Sequence, residues 1–203
     1  MKTCHYAFYG SLLWLTACST EPVASEQTKN QPASIAAPVT APPINTVHQF
    51  LGWYKQHEEQ LNTMPLVPAA NDKDTVNIYA IDFAVVESYL HQLQSSGSLS
   101  PAFLLTQRDY FKHCQDSLQT RLQTDGPPFG LDYDRILYTQ DAESQVQLLL
   151  RSRPASVVVK GDTARVVYHW QESEMSEGPD LSFILARKQG QWLIIAIRPI
   201  LSE

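Results

Sequence analysis

Apolar residues recur at helical spacing in three segments in the middle of the chain. The first predicted helix is capped by Thr46 and ends at Met64-Pro65, and the second follows Asp82 and ends near Gly97. The third starts at Ser100-Pro101, because serine is a good N-cap and proline suits the first helical position. The apolar positions are Val47, Phe50, Leu51, Tyr54, Leu61, then Phe83, Val86, Tyr89, Leu90, Leu93, then Phe103, Leu104, Phe111, Cys114, Leu118 and Leu122.

In the C-terminal part the pattern changes to that of strands, and we predict two hairpins, each with two apolar runs around a short turn. They are Val157–Val159 with Ala164–Trp170 around Gly161-Asp162, and Leu181–Arg187 with Trp192–Arg198 around Gln189-Gly190. Because the run Trp192–Ile197 is almost continuously apolar, we expect it to be central in the sheet. Helices followed by antiparallel strands indicate one α+β domain over residues 46–203, with the N-terminal helices packed on a curved sheet.

Residues 1–17 have the features of an export leader. Lys2 supplies a positive charge, and an apolar stretch of 12 residues runs from Tyr6 to Ala17. A membrane-spanning helix needs about 20 apolar residues, so this stretch is too short to span stably. We therefore predict that residues 1–17 form a signal peptide that is removed.

The leader ends in Leu15-Thr16-Ala17-Cys18, which resembles the lipobox of bacterial lipoproteins. The resemblance implies cleavage after Ala17 and lipid on Cys18, which would anchor the chain to a membrane of the cell envelope. In the lipoproteins of Gram-negative bacteria that it resembles, the residue after the cysteine helps to sort them between membranes. Ser19 at that position implies the periplasmic face of the outer membrane in such a host.

Residues 18–45 form the predicted tether between the lipidated cysteine and the domain. The stretch is rich in proline, alanine, serine and threonine and contains no aromatic residue. It can bury too little apolar surface to offset the entropy of an ordered chain, so we predict a disordered linker. Its five prolines are Pro22, Pro32, Pro38, Pro42 and Pro43.

The charge of the chain argues against nucleic acid as a partner. The formal net charge is −6, and the 15 lysines and arginines are scattered, so we expect no nucleic-acid partner.

With Cys4 in the leader and Cys18 lipidated, Cys114 is the remaining thiol, and no disulfide framework is expected. Its place in an apolar helical pattern predicts a small buried hydrophobe.

The chain runs from a helix through an Asp/Tyr-rich segment and two helices to strands that end in Gly-Gln-Trp-Leu-Ile. It contains the motifs Phe50-x-x-Trp53-Tyr54, Tyr89-Leu90-x-x-Leu93, Ser98-x-Ser100, Tyr110-Phe111-x-x-Cys114 and Asp132-x-Asp134-x-Ile136-Leu137-x-x-Gln140-Asp141. This order and these motifs resemble the nuclear transport factor 2-like, cystatin-like α+β cone. More narrowly, it resembles exported bacterial proteins that carry a domain of unknown function with this fold. The resemblance implies no particular activity, because the broader fold hosts isomerases, dehydratases, binding modules and immunity proteins.

Asp132 and Asp134, followed by Asp141, are the strongest candidates for a binding site, because hard cations prefer carboxylate oxygens. The spacing matches part of a calcium loop. Ile136 and Leu137, however, occupy positions where that loop needs a ligand and a glycine. We therefore predict these three aspartates as a weak binding site with no metal and no cofactor. The failed match favours a structural turn with solvated carboxylates, in which Gln140-Asp141 caps a turn or bonds to the backbone.

An enzyme of this fold would hold an acid or base among the aromatic residues inside the cone, and Asp82, Tyr79 and His169 are the conceivable members. Asp82 stands where a helix N-cap is expected, and His169 is expected to face solvent. The sequence contains no nucleophile elbow, phosphate loop or Cys-x-x-Cys motif. The aromatic residues expected to lie mostly in the core are Trp53, Tyr54, Trp170 and Trp192.

The leading hypothesis is a non-catalytic accessory or binding lipoprotein with a protein partner in the envelope. One alternative is an isomerase or dehydratase that acts inside the cone, which a deep pocket with a buried carboxylate would favour. Another is an immunity protein that recognises a basic toxin through the acidic loop Gln171–Asp180.

Overall fold

The computed structural model describes residues 41–68, 79–123, 125–170 and 179–200, which form four helices and one four-stranded sheet. The leader, the cleavage residue Ala17, the lipidation residue Cys18 and the tether up to residue 40 lie outside the described residues. Helices precede strands, so the predicted α+β class is confirmed. The elements are α1 (Pro43–Asn62), α2 (Phe83–Gln94), α3 (Pro101–Thr120), α4 (Ala142–Arg151), β1 (Ser156–Lys160), β2 (Thr163–Tyr168), β3 (Asp180–Lys188) and β4 (Gln191–Ile200).

The strands form an antiparallel sheet in the order β1-β2-β3-β4, so both predicted hairpins are confirmed. Each turn uses the left-handed region that glycine enters easily: φ is +57° at Gly161 and +81° at Gly190. The pairing of β3 with β4 shifts register between Ile184 and Leu185, and such a bulge bends a strand locally.

β4 lies at one edge of the sheet, so the predicted central position of Trp192–Ile197 is wrong. Its outer edge is instead bridged by the segment before α3. The N–H of Ile194 donates to the carbonyl of Ser98 at 2.9 Å, and the N–H of Ser100 donates to the carbonyl of Ile194 at 2.9 Å. The core takes up Trp192, Ile194 and Ile197 of this run, whereas Leu193 and Ile195 are half-buried.

α1 begins before the predicted N-cap Thr46. Pro43 is its first residue, a position where the missing N–H and fixed φ of proline suit a helix. Thr46 lies inside the helix, and its hydroxyl donates to the carbonyl of Trp192 at 3.3 Å. The predicted Thr46 cap is therefore wrong, and residues 43–45, assigned above to the tether, belong to α1.

The predicted caps of α2 and α3 are confirmed. The carboxylate of Asp82 accepts from two N–H groups of the first turn of α2, at 2.8 and 3.3 Å. The hydroxyl of Ser100 accepts from the N–H of Phe103 at 3.1 Å. α3 ends at Thr120, and Leu122, predicted to continue its apolar face, lies beyond the helix and is exposed.

α4 was not predicted from the sequence. Asp141 caps it by accepting from the N–H of Ser144 at 3.0 Å. Val146 and Leu149 are buried on the side of α4 that packs against α1, and Gln145 is fully buried with them. The helix thus continues the helical layer after the loop that follows α3.

One core fills the space between the helices and one face of the sheet, which we call the inner face. The inner face carries Ala164, Val166, Tyr168, Leu181, Phe183, Leu185 and Ile194. Tyr54 and Trp192 are buried and Trp53 packs against the core, as predicted. Cys114 is buried, which confirms its prediction as a small hydrophobe. Within the described ranges, no helix combines the length and apolarity needed to cross a membrane.

Candidate functional site

A cleft of about 970 Å³ lies between the C-terminal half of α3 and the loop that follows it. This volume is at the upper end of the range found for ligand sites. We call it the α3 cleft. Its walls include Tyr110, Ser117, Arg121, Phe129, Asp132 and Tyr133. Aromatic rings, a cation and a carboxylate therefore line the same space.

The loop on one side of the cleft is held in place by Gln123. Its amide nitrogen donates to the carbonyls of Asp125 (2.9 Å) and Pro127 (2.7 Å), and its amide oxygen accepts from the N–H of Phe129 (2.9 Å). These bonds replace the backbone pairing that a loop lacks, so the loop has a defined shape without secondary structure.

Two large apolar side chains are exposed at this site. Phe129 is 61% exposed and Leu122 is 65% exposed, and both line the α3 cleft together with Pro127 and Pro128. Single exposed apolar residues are ordinary, but a group of them around a concavity is typical of an interaction site. The loop therefore presents an apolar surface in a fixed position.

The loop also lies directly on α3 at Gly130. A Cβ atom at this position would lie 2.6 Å from the hydroxyl of Tyr110 and 3.0 Å from the sulfur of Cys114. The backbone has φ +77° here, which favours glycine. The Tyr110 hydroxyl donates to the carbonyl of Gly130 at 2.7 Å. Glycine thus allows the close contact that shapes this end of the cleft.

A cation lies beside the cleft among three tyrosines. The guanidinium of Arg135 is 3.6 Å from the ring centroid of Tyr110 and 5.1 Å from that of Tyr138. It also donates to the hydroxyl of Tyr133 at 3.4 Å. Burial raises the pKa of Tyr110, so its hydroxyl remains protonated and can act as a donor. These contacts fix the two tyrosines that line the cleft and add positive potential nearby.

The three aspartates predicted as a weak binding site do not come together. Asp132 is exposed on the wall of the α3 cleft. Asp134 is buried and points into the protein, where it accepts from the hydroxyl of Tyr54. Asp141 caps α4 instead. In the part of the chain that the structure describes, no three His, Cys, Asp or Glu side chains are close enough to hold a metal ion.

Asp134 has a structural environment. One carboxylate oxygen accepts from the N–H groups of Ile136 (2.9 Å) and Leu137 (2.6 Å), and the other accepts from Tyr54. Burial raises the pKa of Asp134, although these donors act in the opposite direction. Because both oxygens are engaged inside the protein and do not line the cleft, Asp134 is poorly placed to exchange a proton with a bound molecule.

The residues considered for an enzyme are also separate. Asp82 caps α2, and the hydroxyl of Tyr79 donates to the carbonyl of Gly126 at 3.0 Å. His169 is exposed as predicted, and its Nδ1 lies 2.6 Å from a carboxylate oxygen of Asp180. Burial raises the pKa of the Cys114 thiol, which disfavours the thiolate. Most of the acidic loop, residues 171–178, lies outside the described residues.

No protein family, no curated protein and no solved structure matches this chain. The site is therefore interpreted from its own residues. Of the residues at the cleft, Asp132 was predicted as a candidate from the sequence, whereas Arg121 and Phe129 in the lining and Arg135 beside it were not. A signal existed in Gly126-Pro127-Pro128-Phe129-Gly130, where a large apolar residue stands among turn-forming residues.

Proposed function

We propose that this chain is a lipid-anchored binding module of a bacterial cell envelope, and that it holds a protein partner at the α3 cleft. The observation that carries the proposal is the exposed apolar surface of Phe129 and Leu122 beside a cleft of about 970 Å³. Aromatic side chains in fixed positions are frequent anchors in protein interfaces, because they bury a large area at small cost in entropy.

Two features support binding rather than catalysis. The buried carboxylate of Asp134 is occupied by Tyr54 and by backbone donors, so it is not directed at the cleft. Arg121 and Asp132 line the cleft without a described nucleophile and base in contact there. Opposite charges on its walls suit the polar rim of a protein interface.

The anchor in the proposal is supported by the sequence. Leu15-Thr16-Ala17-Cys18 follows a short apolar leader, and Ser19 favours the outer membrane in a Gram-negative host. The proline-rich stretch that follows would let the domain reach a partner at some distance from the bilayer.

We further propose that the domain is a variant of the nuclear transport factor 2-like cone. The bulge at Ile184 and Leu185, which would curve the sheet, supports this assignment.

The cleft is tested by capture from detergent-solubilised envelopes with the full chain as bait. Phe129→Ser removes the most exposed aromatic anchor of the cleft, and we expect it to lower partner recovery at least about tenfold, as loss of a hot-spot residue does. Leu105→Ser is the matched control, because Leu105 is 55% exposed on α3 but does not line the cleft. Recovery should match that of the unsubstituted chain.

The result that would contradict the proposal is equal recovery of the same proteins by the Phe129→Ser and Leu105→Ser chains. Failure to enrich any protein over an unrelated lipidated bait would contradict it as well. Circular dichroism of both variants checks that the fold is retained before the comparison is made.

A further inference from the structure

β1 is the edge strand opposite β4, and its residues are exposed along its whole length. Three consecutive valines are among them: Val157 is 43% exposed, Val158 is 46% exposed and Val159 is 50% exposed. Proteins usually protect such edges with charges, prolines or a covering segment, because an exposed apolar edge pairs readily with another strand. This edge is therefore a candidate interaction surface, separate from the α3 cleft.

Part of this apolar surface belongs to the inner face of the sheet. Val157 is paired with Val166 and Val159 with Ala164, and paired residues on neighbouring strands point to the same face. Val166 and Ala164 are buried in the core, whereas the two valines are not. The helices therefore cover β2 but not β1. Val157 and Val159 form an uncovered apolar strip at this border of the sheet, which we call the apolar step.

The two edges of the sheet also differ in their backbone pairing. The outer edge of β4 is bridged by Leu99 at Ile194. Among the residues that the structure describes, no segment bridges the outer edge of β1. The only charged residue of β1 is Lys160, at its end. As far as the described residues go, the outward backbone groups along this edge are thus available for a further strand.

The hairpin geometry determines which groups these are. Lys160 and Thr163 flank the two-residue turn, so they form a hydrogen-bonded pair. Bonded and non-bonded pairs alternate along an antiparallel ladder, so Val158 also directs its N–H and C=O toward β2. The N–H and C=O groups of Val157 and Val159 consequently point away from the sheet.

We propose that β1 pairs antiparallel with β1 of a second copy of this chain, around a two-fold axis at Val158. In this register Val157 of each copy lies opposite Val159 of the other, so the outward N–H and C=O groups meet as bonded pairs. Val158 faces its own counterpart in a non-bonded pair. A register shifted by one residue would oppose outward groups to inward ones and lose these bonds.

The apolar side chains of β1 are also compatible with a two-fold axis at Val158. Val157 and Val159 of both copies would form one cluster on the inner face, beside the buried Val166 and Ala164. This cluster covers the apolar step that the helices leave open. The two sheets would join into one continuous sheet across the axis.

The charges near the strand ends are compatible with a second copy as the occupant. Ser156 lies opposite Lys160 of the second copy, so no like charges face each other along the strand. Beyond the strand end, Asp162 of the turn is already paired with Arg187 of its own copy at 2.7 Å, so it presents no unpaired charge to the second copy. The self-complementary register and apolar faces, with no like charges opposed along the strand, make a second copy of this chain the occupant that this edge fits.

A cysteine at the axis tests the proposal. In the full chain with Cys4 and Cys18 replaced by serine, kept in mild detergent, Val158→Cys is expected to form a disulfide-linked dimer on mild oxidation. Leu105→Cys is the matched control, because Leu105 is similarly exposed on α3, and it should remain largely monomeric. Cys114 is buried and is retained in both chains.

Sedimentation of the full chain with Cys4 and Cys18 replaced by serine measures the pairing without a cross-link. We expect the mass to change from monomer to dimer with increasing concentration. The double substitution Val157→Lys and Val159→Lys should abolish this change. It should leave the melting temperature unaltered at concentrations where the unsubstituted chain is monomeric, because both side chains are exposed. Monomer mass at every concentration, or equal cross-linking of Val158→Cys and Leu105→Cys, would overturn the proposal. Failure of the envelope capture at the α3 cleft would leave it unaffected.

Discussion

At the scale of single residues, the pair Tyr54 and Asp134 illustrates how the site region is supported. Tyr54 lies on α1, and Asp134 lies 80 residues further along the chain, in the turn before α4. The carbonyl of Asp134 accepts from the N–H of Tyr138 at 2.9 Å, and its N–H donates to the carbonyl of Thr139 at 2.7 Å. One buried carboxylate thus holds a turn together and ties it to α1.

The titration of Asp134 should be visible in the pH dependence of stability. Burial raises the pKa of this carboxyl in the folded chain, so the folded state keeps the proton to higher pH than the unfolded state does. The resulting stabilisation is present below the unfolded pKa of about 3.9 and is lost as pH rises through the folded pKa.

Urea unfolding of the unsubstituted chain and of Asp134→Asn from about pH 4 to pH 7 checks this prediction. We subtract the unfolding free energy of Asp134→Asn from that of the unsubstituted chain. This difference should fall as pH rises, by at most about 1.4 kcal/mol per pH unit. Asp132→Asn, on the exposed wall of the cleft, controls for the loss of one negative charge. If the difference rises with pH instead, the hydrogen-bond donors lower the pKa of Asp134 by more than burial raises it.

At the scale of elements, local signals predicted the starts of helices better than they predicted which helices exist. Asp82 and Ser100 cap α2 and α3 as expected, because a cap depends on a few adjacent residues. α4 was missed although Asp141 caps it, because the fully buried Gln145 interrupts its apolar pattern. The predicted central position of β4 is wrong because an apolar run does not show whether a strand has one neighbouring strand or two.

The cap of α4 gives a direct test at this scale. Asp141→Ala removes the acceptor of the Ser144 N–H, and we expect it to lower the free energy of unfolding by about 1 kcal/mol. Asp141→Asn is the matched control, because asparagine caps helices about as well as aspartate. Urea unfolding followed by circular dichroism measures both. Equal losses in the two variants would show that charge, rather than the capping bond, is what Asp141 contributes.

At the scale of the whole molecule, the proposed anchor and the proposed binding surface depend on different parts of the chain. The anchor rests on Leu15-Thr16-Ala17-Cys18 and the composition of the following residues. The binding surface rests on the geometry around α3. Either proposal can therefore fail without the other.

Cell fractionation tests the anchor. Cys18→Ala removes the thiol that would accept lipid, and we expect the protein to move from the membrane fraction to the soluble fraction, or to keep an uncut leader. Cys4→Ala, a change inside the leader, is the matched control and should leave the protein in membranes. A fully processed Cys18→Ala chain that still fractionates with membranes would refute the lipoprotein assignment.

The sequence by itself determined features that depend on neighbours along the chain. Helical spacing, the caps Asp82 and Ser100, and the turns at Gly161 and Gly190 are local, so they were predicted and observed. The α+β order followed from them. Tertiary structure alone decided which edge β4 occupies, what Asp134 contacts and that Phe129 borders a cleft. These depend on contacts between residues far apart in sequence, which periodicity and spacing do not encode.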